Sequence, residues 1–249
     1  MSESNALVVG ASQGIGLGFV HHLLQKPQIT KIYATYRSPA SAAGLLTLAE
    51  QEPRIHCLSV DITQEEQIAQ CCEQIQMEST YLHWVINCVG ILHEGELAPE
   101  KGLRQLNAEK LTRYFQVNSI GAALLAKHLL PLLKHRDRST FATISAKIGS
   151  IGDNRLGGWY GYRASKAALN MFMRTAAIEY RRRSPHTIIV TLHPGTTDTK
   201  LSEPFQRSVP PEKLFSIDRT VTQLLTVLDS LDIDNSGQFF SWDGTPLPW

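Results

Sequence analysis

The 249-residue chain has few cysteines, no excess of either charge and no long apolar run, and each shortage excludes a class of function. Its four cysteines, Cys57, Cys71, Cys72 and Cys88, show no CxxC spacing, and an adjacent pair does not readily bridge or chelate together. They read as buried or idle thiols of a reducing compartment. The nine histidines form no metal motif, and the adjacent His21 and His22 leave one helix on different faces. With Lys+Arg 24 against Asp+Glu 23, no overall field recruits nucleic acid or an anionic membrane. The one basic run, Arg181 to Arg183, sits where a long helix should end, and cations there complement the carbonyl end of the helix. The most apolar stretch, "AALLAKHLLPLL", is interrupted by Lys127, His128 and Pro131. The N-terminal "MSESNALVVGAS" enters a strand at once, with no basic segment and no cleavable apolar stretch of its own. The expectation is a cytoplasmic protein with no bound metal, no nucleic-acid partner and no membrane.

What is present is regular alternation. Hydrophobic residues make up 43% and charged residues 19%, enough for a full core, and no linker or repeat divides residues 1–249, so one domain is expected. The strands "ALVV", "KIYATY", "IHCLSV", "HWVINC", "TFATIS", "TIIVTL" and "GQFF" are mostly continuous apolar runs, as strands are when both faces of a parallel sheet are covered. Helical patterns lie between them, near 15–25, 41–51, 64–77, 107–134, 161–182 and 218–230. Right-handed crossovers then give an α/β, Rossmann-type doubly wound parallel sheet of about seven strands, with its ligand crevice at the carboxyl ends of the strands.

Every motif falls at that crevice. "GASQGIG" places Gly10, Gly14 and Gly16 between the first strand and a helix, where backbone N–H groups and the helix N-terminus attract a pyrophosphate. A plain tight turn between strand and helix reads the same way. The second strand ends "ATYRSP", with Arg37 where an NAD-binding sheet usually has an acid; an arginine accommodates the 2′-phosphate of NADP, with Ser38 and Thr35 as further contacts. Asp61, after the third strand, reads equally as a helix cap or an adenine contact. In "YGYRASK" the spacing of four puts Tyr162 and Lys166 one turn apart on one helix face. Ordinary helix packing gives the same pair.

The glycine turn, Asn87 and Gly90 in "NCVG", Asn118 in a long helix, Ser145 after the fifth strand and "YGYRASK" together resemble the short-chain dehydrogenase/reductase family over nearly the whole chain. "ISAKIGSIGDNRLGGWYGYRASKAALN", "HPGTTDTKLSEPF" and "SWDGTPLPW" look most like its branch of C-factor and Sniffer-type carbonyl reductases. The resemblance implies hydride transfer between a nicotinamide, NADPH in preference to NADH, and a small carbonyl or alcohol. Tyr162 would be the general acid/base, Lys166 would bond the nicotinamide ribose and favour the phenolate, and Asn118 would hold a relay water. A free phenol titrates near ~10, so Lys166 is expected to lower it. The cofactor would also meet Ser12, Gln13, Ile15, Ile62, Asn87, Gly90, Pro194, Gly195, Thr197 and Thr199. Two long helices often pair between subunits in the family, and Gly121, Ala122, Ala123, Ala167 and Ala168 would permit a homodimer or pack on the sheet.

The chain departs from the family pattern in three places. The family's carbonyl-orienting serine is usually the second of a Ser-Ser pair, and here the pair reads Ser145, Ala146. Ser145 serves only if the strand end is bulged or turning, and Ser150 is the other candidate. Val9 replaces a common threonine, and Gln13 stands where many NADP-dependent members have Arg or Lys. The polar, proline-rich stretch from Leu201 to Leu214 suits a cover over the substrate, and Ile91, Trp159, Phe205 and Trp242 are read as an apolar pocket or as plain core. The rival reading is a nucleotide-binding signalling protein of the same fold with little or no turnover.

Overall fold

The computed structural model describes residues 3–249; Met1 and Ser2, at the start of the stretch read for a leader, lie outside the described residues. The strands are β1 (Ser4–Val9), β2 (Ile29–Tyr36), β3 (Ile55–Ser59), β4 (Trp84–Asn87), β5 (Ser139–Ile144), β6 (Thr187–His193), the two-residue β7 (Thr196–Thr197) and β8 (Leu214–Phe215), and β9 (Phe239–Ser241). The helices are α1 (Gly14–Leu24), α2 (Ala43–Gln51), α3 (Glu65–Glu78), α4 (Ala108–Phe115), α5 (Gly121–Leu133), α6 (Tyr160–Arg183) and α7 (Ile217–Ser230). Seven strands form one parallel sheet in the order β3-β2-β1-β4-β5-β6-β9, and β7 pairs with β8 apart from it.

The continuous apolar strands are explained by the two cores they feed. Along β1, Leu7 and Val9 join Phe141 and Ile189 beneath α3, α5 and α6, while Ala6 and Val8 join Ile188, Val190 and Leu192 beneath α1 and α7. Alternate residues of a strand face opposite ways, so a sheet covered on both sides needs apolar residues at every position. The strand order reverses between β1 and β4, which leaves a crevice at their carboxyl ends.

The helix expected over 107–134 has a structured interruption. The Asn107 side chain accepts from the Lys110 N–H at 3.0 Å and caps α4; a π-turn at Gln116–Ile120 then joins α4 to α5. Asn118 sits in that widened turn. Gly121 follows it, and a Cβ there would stand 2.8 Å from the Ile62 carbonyl oxygen, so glycine lets α5 press on the loop after β3. Gly121 and the buried Ala122 are thus spent inside the chain rather than on a helix pair between subunits. The stretch read as a cover folds into short 3-10 helices at Glu203–Ser208 and Pro211–Lys213 before β8.

Candidate active site

The turn after β1 is shaped by its glycines. Gly10 and Gly14 have φ of +78° and +57°, the left-handed region that favours glycine, and a Cβ on Gly16 would lie 2.1 Å from the Gly10 oxygen. The Thr35 hydroxyl accepts from the Gly10 N–H at 3.1 Å and the Thr35 carbonyl from Ala11 at 2.7 Å, which laces the turn to β2. Thr35 is therefore a buried brace, not the phosphate contact expected from the sequence. No side chain caps α1 at Gln13, and its first turn carries no acid, so its N–H groups and positive dipole end remain open to an anion. Ser12, Gln13 and Ile15 lie in that turn, and the Thr199 methyl packs 3.4 Å from the Cβ position of Gly14. These donors and this space fit a dinucleotide pyrophosphate.

At the end of β2, Arg37 donates to Glu94 at 3.0 Å, and Glu94 also accepts two bonds from Arg113 of α4. Asp61 Oδ1 accepts from the N–H and the hydroxyl of Thr63, building a turn before α3 rather than capping it. Burial pushes the Asp61 carboxyl up, but the Thr63 bonds and the Arg37 and Arg113 charges outweigh it and hold the group below its ordinary value. Asn87 Oδ1 accepts from the Val89 N–H at 3.1 Å and shapes the "NCVG" turn.

The chemistry-bearing side chains converge where that turn meets α6. Asn118 accepts from the Ile91 N–H at 2.7 Å and donates to the Ile91 oxygen at 2.9 Å and to Ser165 Oγ at 3.0 Å. A Cβ on Gly90 would lie 3.2 Å from Lys166 Nζ and 3.4 Å from Asn118 Oδ1, so glycine there leaves room for both side chains. Lys166 Nζ lies 6.0 Å from the Tyr162 ring centre and donates to the Ile144 carbonyl at 3.0 Å. Burial pushes the Lys166 ammonium down to about 8. Burial also raises the Tyr162 phenol, the opposite of the lowering expected from Lys166.

Around Tyr162 an apolar cluster gathers Ile91, Leu92, Leu97, Tyr114, Ile148, Trp159, Leu201, Phe205 and Ala146. Trp159 has φ +52° and follows Gly157 and Gly158, both with positive φ; the tight turn aims its ring at Tyr162 and Phe205, with centroids 6.2 and 4.9 Å away. Trp242, also expected there, packs instead on Phe215 at 4.9 Å in the α1/α7 core.

The serine question resolves against Ser145. Ala146 is extended, at φ −154° and ψ 144°, so the chain alternates through it. Ala146 packs against the apolar cluster, and the buried Ser145 hydroxyl donates to Asn170 of α6 at 2.7 Å. No bulge turns Ser145 towards the substrate. Ser150 accepts from the Asp153 N–H at 3.1 Å and closes its own loop. Pro194 and Gly195 bend the chain after β6, Gly195 with φ +74° beside Phe215 and Trp242, while the Thr197 hydroxyl is taken by Thr220 at 2.9 Å.

Sequence reasoning missed Glu94, Arg113 and Glu100. Buried Glu100 accepts from the Gly161 N–H at 3.1 Å and so holds the N-terminus of the helix that carries Tyr162. It also missed a cluster at the other end of the sheet, where ligand atoms of His83, His135 and Asp137 lie within 4.8 Å of one another. His83 Nδ1 accepts from the Asn5 N–H at 3.2 Å, so Nε2 carries the hydrogen and offers no lone pair to a metal.

A family profile described as short chain dehydrogenase matches residues 4–209. The chain belongs to that family. An NADPH-bound carbonyl reductase from chicken fatty liver superposes with a TM-score of 0.89 at 29% identity, covering 100% of both chains. The carbonyl reductase Sniffer of D. melanogaster gives 0.88 at 26%, again over 100% of both. C-signal of Myxococcus xanthus is 33% identical over 139 residues, 56% of this chain and 78% of its own length. This short chain dehydrogenase is accordingly an oxidoreductase with the seven-stranded parallel sheet of its relatives.

Proposed function

We propose that the protein is an NADPH-dependent reductase of small apolar aldehydes or ketones, built as one domain. The observation that carries this is the convergence of Lys166 Nζ and Asn118 Oδ1 on Gly90, next to Tyr162 in an apolar cluster. The open N-terminus of α1, with Gly10 and Gly14, would hold the pyrophosphate; Arg37 would meet the 2′-phosphate, and Lys166 the nicotinamide ribose. NADPH bound there would supply the hydride.

The chain's own residues do the rest. Trp159, Phe205 and Leu201 exclude water and orient the substrate's carbonyl towards Tyr162. The phenol then gives its proton to the substrate oxygen as the alcohol forms. Because burial disfavours the phenolate, proton return is the step that needs Lys166, whose ammonium is already weakened by its own burial. The Ala146 methyl would offer that oxygen no hydrogen bond, and slow turnover is the expected consequence. That substitution also supports a second reading, a nucleotide-binding regulatory protein with weak turnover.

The test is NADPH and NADH oxidation with a panel of aldehydes, ketones and quinones, beside Tyr162→Phe. NADPH-dependent turnover that falls by about 10²–10⁴ in the variant, with cofactor binding retained, supports the reductase. Binding without turnover on any carbonyl supports the second reading. We infer a homodimer as well, because Met171, Phe172 and Ile178 are exposed along α6. Light scattering on the eluting protein at twice the chain mass is the expected result.

A further inference from the structure

The ion-pair cluster at the adenosine end does more than anchor a loop. Arg37 ends the β2 side of the crevice and Glu94 follows β4; β1 lies between those strands, so the pair reaches across the cofactor groove. Glu94 is the fixed partner. It exchanges both backbone hydrogen bonds with Leu97, at 3.1 and 2.9 Å, around Gly95 at φ +56°, and Lys110 Nζ ties the turn to α4 through the Glu96 carbonyl. Its two oxygens are used unequally. Oε2 takes Nε and one terminal N–H of Arg113, at 3.0 and 2.8 Å, while Oε1 takes a single bond from the half-exposed Arg37.

We infer that Glu94 determines cofactor discrimination: it is a resident carboxylate that holds Arg37 until a 2′-phosphate takes its place. This rests on the NADP reading above. A singly bonded, exposed pair is weak, so Arg37 leaves it readily for a phosphate, whereas Glu94 stays on Arg113. Arg37 and Arg113 against Glu94 and Asp61 sum to no net charge, so the phosphate enters a neutral site rather than a positive one. Gln13, in the phosphate turn, adds no cation. Glu94 therefore limits the preference for NADPH, and Arg113 is a positioning residue that partly cancels the Glu94 charge.

The experiment is calorimetric titration of the full chain with NADPH and with NADH, on the wild type, Glu94→Gln, Arg113→Met, the double variant and Arg37→Met. Glu94→Gln is expected to tighten NADPH by about two- to fivefold and to leave NADH unchanged, an effect that fades as salt rises. Arg113→Met is expected to weaken NADPH in the wild type and to do so less in the Glu94→Gln background. If the wild type prefers NADPH, Arg37→Met removes that preference and Glu94→Gln tightens neither cofactor or both alike, the role of Glu94 is overturned while the NADP reading stands. If the wild type shows no preference for NADPH, both fall together; if it prefers NADPH and Arg37→Met leaves that preference intact, the roles of Arg37 and Glu94 fall and NADPH use stands.

Discussion

Ala146→Ser puts a hydroxyl on the apolar cluster that contains Tyr162, and the size of its effect follows from the local backbone. Residue 146 is extended and faces the apolar cluster, so a serine Oγ there points where the Ser145 hydroxyl, bound to Asn170, does not. A fully preorganised donor to a developing oxyanion is worth about 10²–10³ in kcat. The new hydroxyl lacks a partner that fixes its rotamer, so we expect a rise of about 10- to 100-fold, in line with the ~1.5–3 kcal/mol of a hydrogen bond to a charged group. The assay is kcat for reduction of the best carbonyl by NADPH at fixed pH, with the melting temperature as a check on folding. Ser145→Ala is the control: it should leave kcat within about twofold and cost roughly 1 kcal/mol of stability by stripping Asn170 Oδ1 of its donor. An unchanged rate in Ala146→Ser together with a hundredfold loss in Ser145→Ala would refute the assignment.

Other consequences concern stability. His193 lies at the end of β6 with Nδ1 buried and unpartnered, and burial pushes its pKa down to about 4, below the ~6.5 of an unfolded histidine. Between those values the unfolded chain binds more protons, so stability is lost as pH falls from about 6.5 to about 4, by on the order of 2 kcal/mol. Melting curves across that range should fall by several degrees for the wild type and be flatter for His193→Asn. Glu100→Ala removes the acceptor of the Gly161 N–H and is expected to cost about 1–2 kcal/mol by denaturant titration, with Glu100→Gln milder because an acceptor oxygen remains.

The fold was legible because it rests on local signals. Continuous apolar strands, a glycine turn of fixed geometry and a helix with Tyr162 and Lys166 one turn apart are properties of short segments, and right-handed crossovers make a doubly wound sheet the economical topology. The π-turn was not legible, because a widened turn leaves no mark in apolar spacing; the bonds of Asn118 to Ile91 and Ser165 are what accompany it. The spacing of Tyr162 and Lys166 on one helix was thus determined by the sequence itself, and so was the absence of a serine at 146. Which way Ser145 points, that Thr35 braces the phosphate turn, that Thr197 pairs with Thr220 and that Trp242 belongs to the far core were decided only by tertiary packing. The same holds for Arg37, which the sequence marked as a phosphate contact and the fold gives a competing carboxylate 57 positions away. Such pairs lie outside sequence reading because the partner arrives from a different crossover of the sheet, and no local pattern records it.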